Sequence, residues 1–99
     1  METPMLIAPP PGIPRELLCG YLQRMRDSLP NLQGTLARLD FDAARVYGHR
    51  LKGSGGAYGV PQLSEIGAAI EIAAKAGKAD ELGALAERLS ALLHAIEAA

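Results

Sequence analysis

One cysteine, no tryptophan, one phenylalanine and three tyrosines are all that the 99 residues offer of the side chains that staple small secreted domains or build aromatic cores. With Cys19 alone, neither an intrachain disulfide nor a multi-cysteine metal site can form, and a reducing, cytoplasmic setting is expected. Cys19 reads as a small helix hydrophobe. Charge of one sign is also missing. The formal net charge is -1, and no cluster of Lys and Arg interleaves with aromatics, so the electrostatic footprint of a nucleic-acid binder is absent. Long apolar runs are missing too. Met5 to Ala8 is the only uninterrupted stretch near the start, too short for a signal peptide and without a preceding basic residue, so export and membrane spanning are not expected. Partners should be proteins.

What is present is Ala and Leu, within a hydrophobic content of 48% against 4% aromatic. That balance suits helices packed through small side chains better than strands. Five of the seven prolines fall within the first fourteen residues, so residues 1–13 are expected as a flexible, proline-rich tail. From Leu17 the apolar positions Leu17, Leu18, Tyr21, Leu22, Met25, Leu29, Leu32, Leu36 and Leu39 keep helical spacing. Pro30 interrupts them, and a proline inside a helix removes a hydrogen bond and clashes with the preceding turn. The spacing therefore predicts two helices, about 14–28 and 29–39, with Ser28 capping the second.

Asp40 can cap a third helix starting at Phe41, with Phe41, Ala44, Tyr47, Leu51 and Tyr58 as inward candidates. Pro61 suits the first turn of a fourth, carrying Leu63, Ile66, Ile70, Ala73 and Ala74 and ending near Gly77. Asp80 is expected to cap a fifth, whose stripe is Leu82, Leu85, Leu89, Leu92, Leu93 and Ile96. The fold class is all-α: an up-and-down antiparallel four-helix bundle over 14–99, with 14–28 as an additional N-terminal helix.

His49 carries the chemistry. At about 100° per residue it points roughly 160° away from Leu51, and so towards solvent, with Arg45, Lys52, Gly53 and Gly56 sharing its face. Gly48, Gly53, Gly55, Gly56 and Gly59 crowd the same segment. Each interior glycine costs about 1 kcal/mol relative to alanine, so something compensates. Gly53 and Gly56 clear the space beside the imidazole for another protein's surface, whereas Gly48 and Gly55, one heptad apart, fit close helix packing. Gly59 fits a helix end. A Walker-type phosphate loop is excluded, because Gly53 is followed by Ser54 and Gly55 rather than by Lys and then Ser or Thr, and no strand precedes it.

The window HRLKGSGGAYG, His49 to Gly59, resembles the phosphorylation-site pattern of histidine-containing phosphotransfer (HPt) domains. Histidine, lysine three later, glycine directly after it and a further glycine ten beyond the histidine all match. Asp40, Phe41 and the Gly67 to Glu71 stretch extend the resemblance over about Leu17 to Ile96. It implies that His49 is a phosphoryl acceptor between receiver-domain aspartates in a two-component phosphorelay, with Lys52 stabilising charge on the phosphoryl oxygens. Glu71 could orient the imidazole, as a glutamate or glutamine at this offset does in some related domains, or could simply pair with Lys75 one turn on. Arg45, Arg50, Gly53 and Gly56 would form the docking surface. The expected partners are the receiver domain of a hybrid sensor kinase and a response regulator, met by a monomer. No cofactor or metal is expected on this chain, and Mg²⁺ belongs to the receiver. Nothing resembles an ATP-binding lid, so an autonomous kinase is not expected. Two other readings stand beside this one: the phosphoacceptor module of a chemotaxis-type kinase, and an adaptor that docks a receiver without taking the phosphoryl group. A chain running from Met1 to Ala99 favours the standalone carrier.

Overall fold

A computed structural model describes residues 3–99. It contains four helices, α1 (Arg15–Ala37), α2 (Phe41–Ala57), α3 (Pro61–Lys75) and α4 (Ala79–Ala95), and two three-residue strands, β1 (Met5–Ile7) and β2 (Ile96–Ala98). Each helix packs on its sequence neighbour and α1 also packs on α4, which closes a ring of four. The connections are only three residues long, and such short links join antiparallel helices. Leu18, Leu22, Leu32, Leu51, Leu63, Ile66, Ile70, Leu82, Leu89 and Leu93 meet in the middle.

The additional N-terminal helix is not there: α1 runs unbroken through Pro30. Pro30 is exposed and sits between buried Leu29 and Leu32, so one continuous buried stripe outweighs the roughly 3 kcal/mol penalty of an interior proline. Ser28, expected as a cap, instead donates to the Met25 carbonyl at 2.7 Å and lies 2.7 Å from the Tyr47 hydroxyl. The buried stripe is also shorter at both ends than the apolar spacing predicts, since Leu17 and Leu39 are exposed. Leu39 lies past the end of α1 with a φ of 54°. Its neighbour's amide, Asp40 N, donates to Thr35 O at 2.9 Å, and the same closing bond recurs at Gly59 (Val60 N to Gly55 O, 2.8 Å) and Gly77 (Lys78 N to Ala73 O, 3.0 Å).

Asp40 caps α2 as expected, accepting from Ala43 N at 3.1 Å. Asp80 does not cap α4. That helix starts one residue earlier, and Asp80 and Glu81 lie in its first turn, where negative charge complements the helix dipole.

Residues 3–13 of the proline-rich segment are anchored, extended as far as a turn at 11–12. Its middle, β1, pairs in parallel with β2, Met5 opposite Ile96 and Ile7 opposite Ala98, while Ile7 and Ile13 pack on the core. Two arginines of α1 brace the end of α4 and the C-terminal segment that holds β2. Arg26 donates to Leu93 O at 2.8 Å and Ile96 O at 2.7 Å, and Arg15 donates to Ala99 O at 3.0 Å. The expectation of a flexible tail at residues 1 and 2 lies outside the described residues.

Candidate functional site

The α2–α3 contact sets the site, and glycine makes it close. A Cβ on Gly48 would come within 2.7 Å of Glu71 N and Gly67 O, and one on Gly55 within 2.5 Å of Ser64 N. Reciprocally, a Cβ on Gly67 would collide with the Lys52 amide nitrogen. Real side chains cannot stand so near backbone, so these three positions admit only glycine. Gly55 faces Ser64 while Gly48 faces Ile70 and Glu71, so the two helices run antiparallel with nearly touching backbones. The Ser64 hydroxyl reinforces the contact by donating to Lys52 O at 2.7 Å.

Nearly touching backbones put a glutamate of α3 within reach of a histidine of α2. Glu71 Oε2 lies 2.9 Å from His49 Nδ1, and Glu71 Oε1 lies 2.9 Å from Lys52 Nζ. The imidazole side chain is 65% exposed and that of Lys52 43%, whereas the Glu71 side chain is only 10% exposed. A carboxylate that removed from water requires hydrogen-bonding partners, and each of its oxygens has one, the ring nitrogen of His49 or the ammonium of Lys52. The Lys52 ammonium is the main reason that the Glu71 carboxyl is held below its ordinary range. Its burial opposes this, and the His49 hydrogen bond and the more distant Lys75 charge assist. An ionised carboxylate accepts and never donates, so the proton of a neutral ring sits on Nδ1 and the lone pair on Nε2.

Of the two readings of Glu71, contact with the imidazole is therefore the geometry found, while Lys75 acts only at longer range. The two open glycines behave differently from the packed three. A Cβ at Gly53 would meet nothing within 4 Å, and one at Gly56 only Ser64 Oγ at 4.0 Å. Arg45 shares the His49 face but is ion-paired to Asp42 at 2.9 Å. Arg50 lies on the rim of an open groove of about 540 Å³ between α1 and α2, floored in part by Leu51, Ser54 and Tyr47. Among the described residues, no hydrogen bond or ion pair joins either arginine to His49, Lys52 or Glu71.

The sequence places Gly67 only within the stretch that extends the family resemblance and gives Ser64 no role, so the packing part of both emerges from the structure. A serine in the first turn of α3 and a glycine midway along it give no periodic signal of their own, and only the facing Gly48 and Gly55 make their packing interpretable.

The arrangement offers a nucleophilic nitrogen in open solvent, its tautomer set from below by a charged acceptor and its flank cleared of side chains. The sequence model of one protein family, described as Hpt domain, matches residues 16–99. No curated protein and no solved structure gives a significant match to the chain. Among the described residues, no helix is long and apolar enough to cross a membrane.

Proposed function

The chain belongs to the Hpt domain family, whose general work is histidine phosphotransfer in phosphorelays, and from that premise we propose that it carries a phosphoryl group on His49 Nε2 between aspartates of receiver domains. The observation that supports this reading best is the pairing of an exposed ring with a shielded carboxylate 2.9 Å from its Nδ1. The Nε2 lone pair attacks the phosphorus of a receiver's aspartyl phosphate in line. An N–P bond forms, the P–O bond to aspartate breaks, and the aspartate leaves as carboxylate. The phosphorylated ring still holds the Nδ1 proton and is formally cationic, and Glu71 stabilises it through the bond already in place. Attack by a second receiver's aspartate on the same phosphorus returns the lone pair to Nε2, so the carrier is reversible.

Lys52, one turn from His49, would supply positive charge to the equatorial oxygens during transfer. Gly53 and Gly56 would admit the partner's surface, with Arg45 and Arg50 facing its acidic pocket, and Mg²⁺ would be bound by that pocket. Incubation with a phosphorylated receiver tests the proposal. The chain should gain acid-labile phosphate with no kinase present, and His49→Gln should abolish that gain with the helical spectrum unchanged, because an exposed helix position tolerates Gln. Receiver binding and regulation that persist in His49→Gln without any transfer in the wild type would leave only a docking adaptor.

A further inference from the structure

We propose that the resting chain pairs with a second copy of itself through the outer face of α3, in a two-fold arrangement that lays the two copies of His49 against each other and withholds them from a receiver. The purpose of the pairing rests on the phosphotransfer reading, and the pairing itself does not.

The starting point is a row of side chains on α3 that finds no partner within the chain. Glu65, Ala68, Ile72 and Lys75 are spaced three, four and three apart, which sets them along one face of a helix. Glu65, Ile72 and Lys75 are exposed and Ala68 is half-buried. Ile72, at 68% exposure, is the most open large apolar side chain among the described residues, and a shallow groove lined in part by Ala69, Ala73, Ala84 and Leu85 continues the apolar surface beside it. Among the described residues, neither Glu65 nor Lys75 makes an ion pair.

A lone exposed isoleucine is ordinary, but this one belongs to a row that is complementary to itself. Turned end for end, the row sets Glu65 at Lys75 of the second copy and Ala68 at Ile72 of the second copy, and two-fold symmetry makes each contact twice. Small meets large and negative meets positive. A parallel pairing would instead oppose Glu65 to Glu65 and Lys75 to Lys75, so charge selects the antiparallel one.

His49 enters through the register of α2 on α3. Gly48 faces Glu71 and Gly55 faces Ser64, so His49 is level with Ile70, midway along the row. The two-fold axis that pairs the rows crosses α3 at that level and brings α2 of the second copy to the side of α2, where the imidazoles meet. On either side of them, Arg45 falls at Gly53 of the second copy and Asp42 at its Gly56, the two glycines whose flanks are open within their own chain. Arg45 and Asp42 are paired to each other, so they bring no uncompensated charge. A phosphoryl group on either ring would place negative charge on the axis and drive the copies apart. The empty carrier is thus held in reserve and the loaded one is free.

Sedimentation equilibrium over rising chain concentration tests the pairing without any phosphoryl group. Wild type should pass from monomer to dimer mass. Glu65→Lys and Lys75→Glu, each alone, turn two attractions into two repulsions and should weaken association about tenfold. Mixed in equal amounts, the two variants should recover wild-type association as a heterodimer, because each altered residue then faces the other with opposite charge. Ile72→Gln, at an exposed helix position that tolerates Gln, should keep the helical spectrum and lose the dimer. A wild type that stays monomeric at the highest concentration overturns the proposal, and so does a mixture that associates no better than either variant alone or an Ile72→Gln variant that dimerises as wild type does. Shielding is read from the initial rate of phosphoryl uptake per chain, taken from a fixed trace of phosphorylated receiver. That rate should fall as wild type dimerises and hold steady in Ile72→Gln, and a wild-type rate indifferent to dimerisation overturns the shielding. A chain that dimerises in this way yet takes no phosphate would sink the functional reading alone, and one that takes phosphate but is monomeric throughout would sink this inference alone.

Discussion

Substituting Gly53 should make the protein more stable and less able to act, and the two effects have separate physical origins. Gly53 is an interior residue of α2 with no φ in the left-handed region and with no atom within 4 Å of a built Cβ. Replacing it with alanine removes the backbone freedom that glycine must lose on folding, worth about 1 kcal/mol, with no steric cost to set against it. For a domain of this size, that gain raises Tm by about 4–8 °C. Leucine, nearly as good a helix former, should stabilise to a similar extent, but its branched side chain would stand beside the imidazole in the path of an approaching receiver. Thermal unfolding of Gly53→Ala and Gly53→Leu, set against phosphoryl uptake from a receiver, separates the two. Gly48→Ala and Gly67→Ala serve as opposite controls. There a methyl group would collide with the facing backbone, and overpacking of that kind costs about 1–3 kcal/mol. Wild-type transfer by Gly53→Leu would refute the docking account of the open glycines, and a loss of stability in Gly53→Ala would show that the residue has a structural duty that its surroundings do not reveal.

Three further expectations follow from other parts of the bundle. Arg26→Ala leaves the Leu93 and Ile96 carbonyls without their guanidinium donor and should cost about 2–3 kcal/mol in urea unfolding; a change below about 0.5 kcal/mol would mean that water replaces the arginine fully. Leu39→Gly should stabilise by about 0.5–1 kcal/mol, because leucine at a φ of 54° is strained where glycine is not, and destabilisation would mean that the exposed leucine packs in solution. Because the folded-state carboxyl of Glu71 is held below its ordinary value of 4.5, its stabilising contribution is fully present above that pH and is lost as pH falls through the folded-state value. The stability gap between wild type and Glu71→Gln should accordingly be flat above pH 4.5 and close in acid, and a gap indifferent to acid would contradict the ion-pair geometry.

The bundle was legible because helical periodicity is a local property. Leu63, Ile66 and Ile70, or Leu82, Leu89 and Leu93, declare a buried face without reference to anything else in the chain. Local rules misled where tertiary contacts override them. Pro30 signals a break on its own, yet the burial of Leu29 and Leu32 on either side carries α1 through it. β1 and β2 could not be read at all, since each is three residues long and has meaning only beside the other. At the site, His49, Lys52 and the open glycines lie in one window and could be grouped from spacing alone. Glu71 lies 22 residues from His49, and whether it faced His49 or Lys75 depended on how closely α2 and α3 approach, a distance set by Gly48, Gly55 and Gly67 together.

The strand pair has a kinetic consequence. Joining Met5 to Ile96 closes a ring of nearly the whole chain, and the entropy of ring closure grows with the length enclosed. The α2–α3 hairpin, by contrast, closes over a three-residue link and can zip up early from neighbouring turns. The clasp should therefore be the last part of the molecule to form and the first to open, with its amides exchanging ahead of those in the helices. His49 and Glu71 belong to the part that forms soonest, so the geometry of the imidazole survives while the ends of the chain come and go.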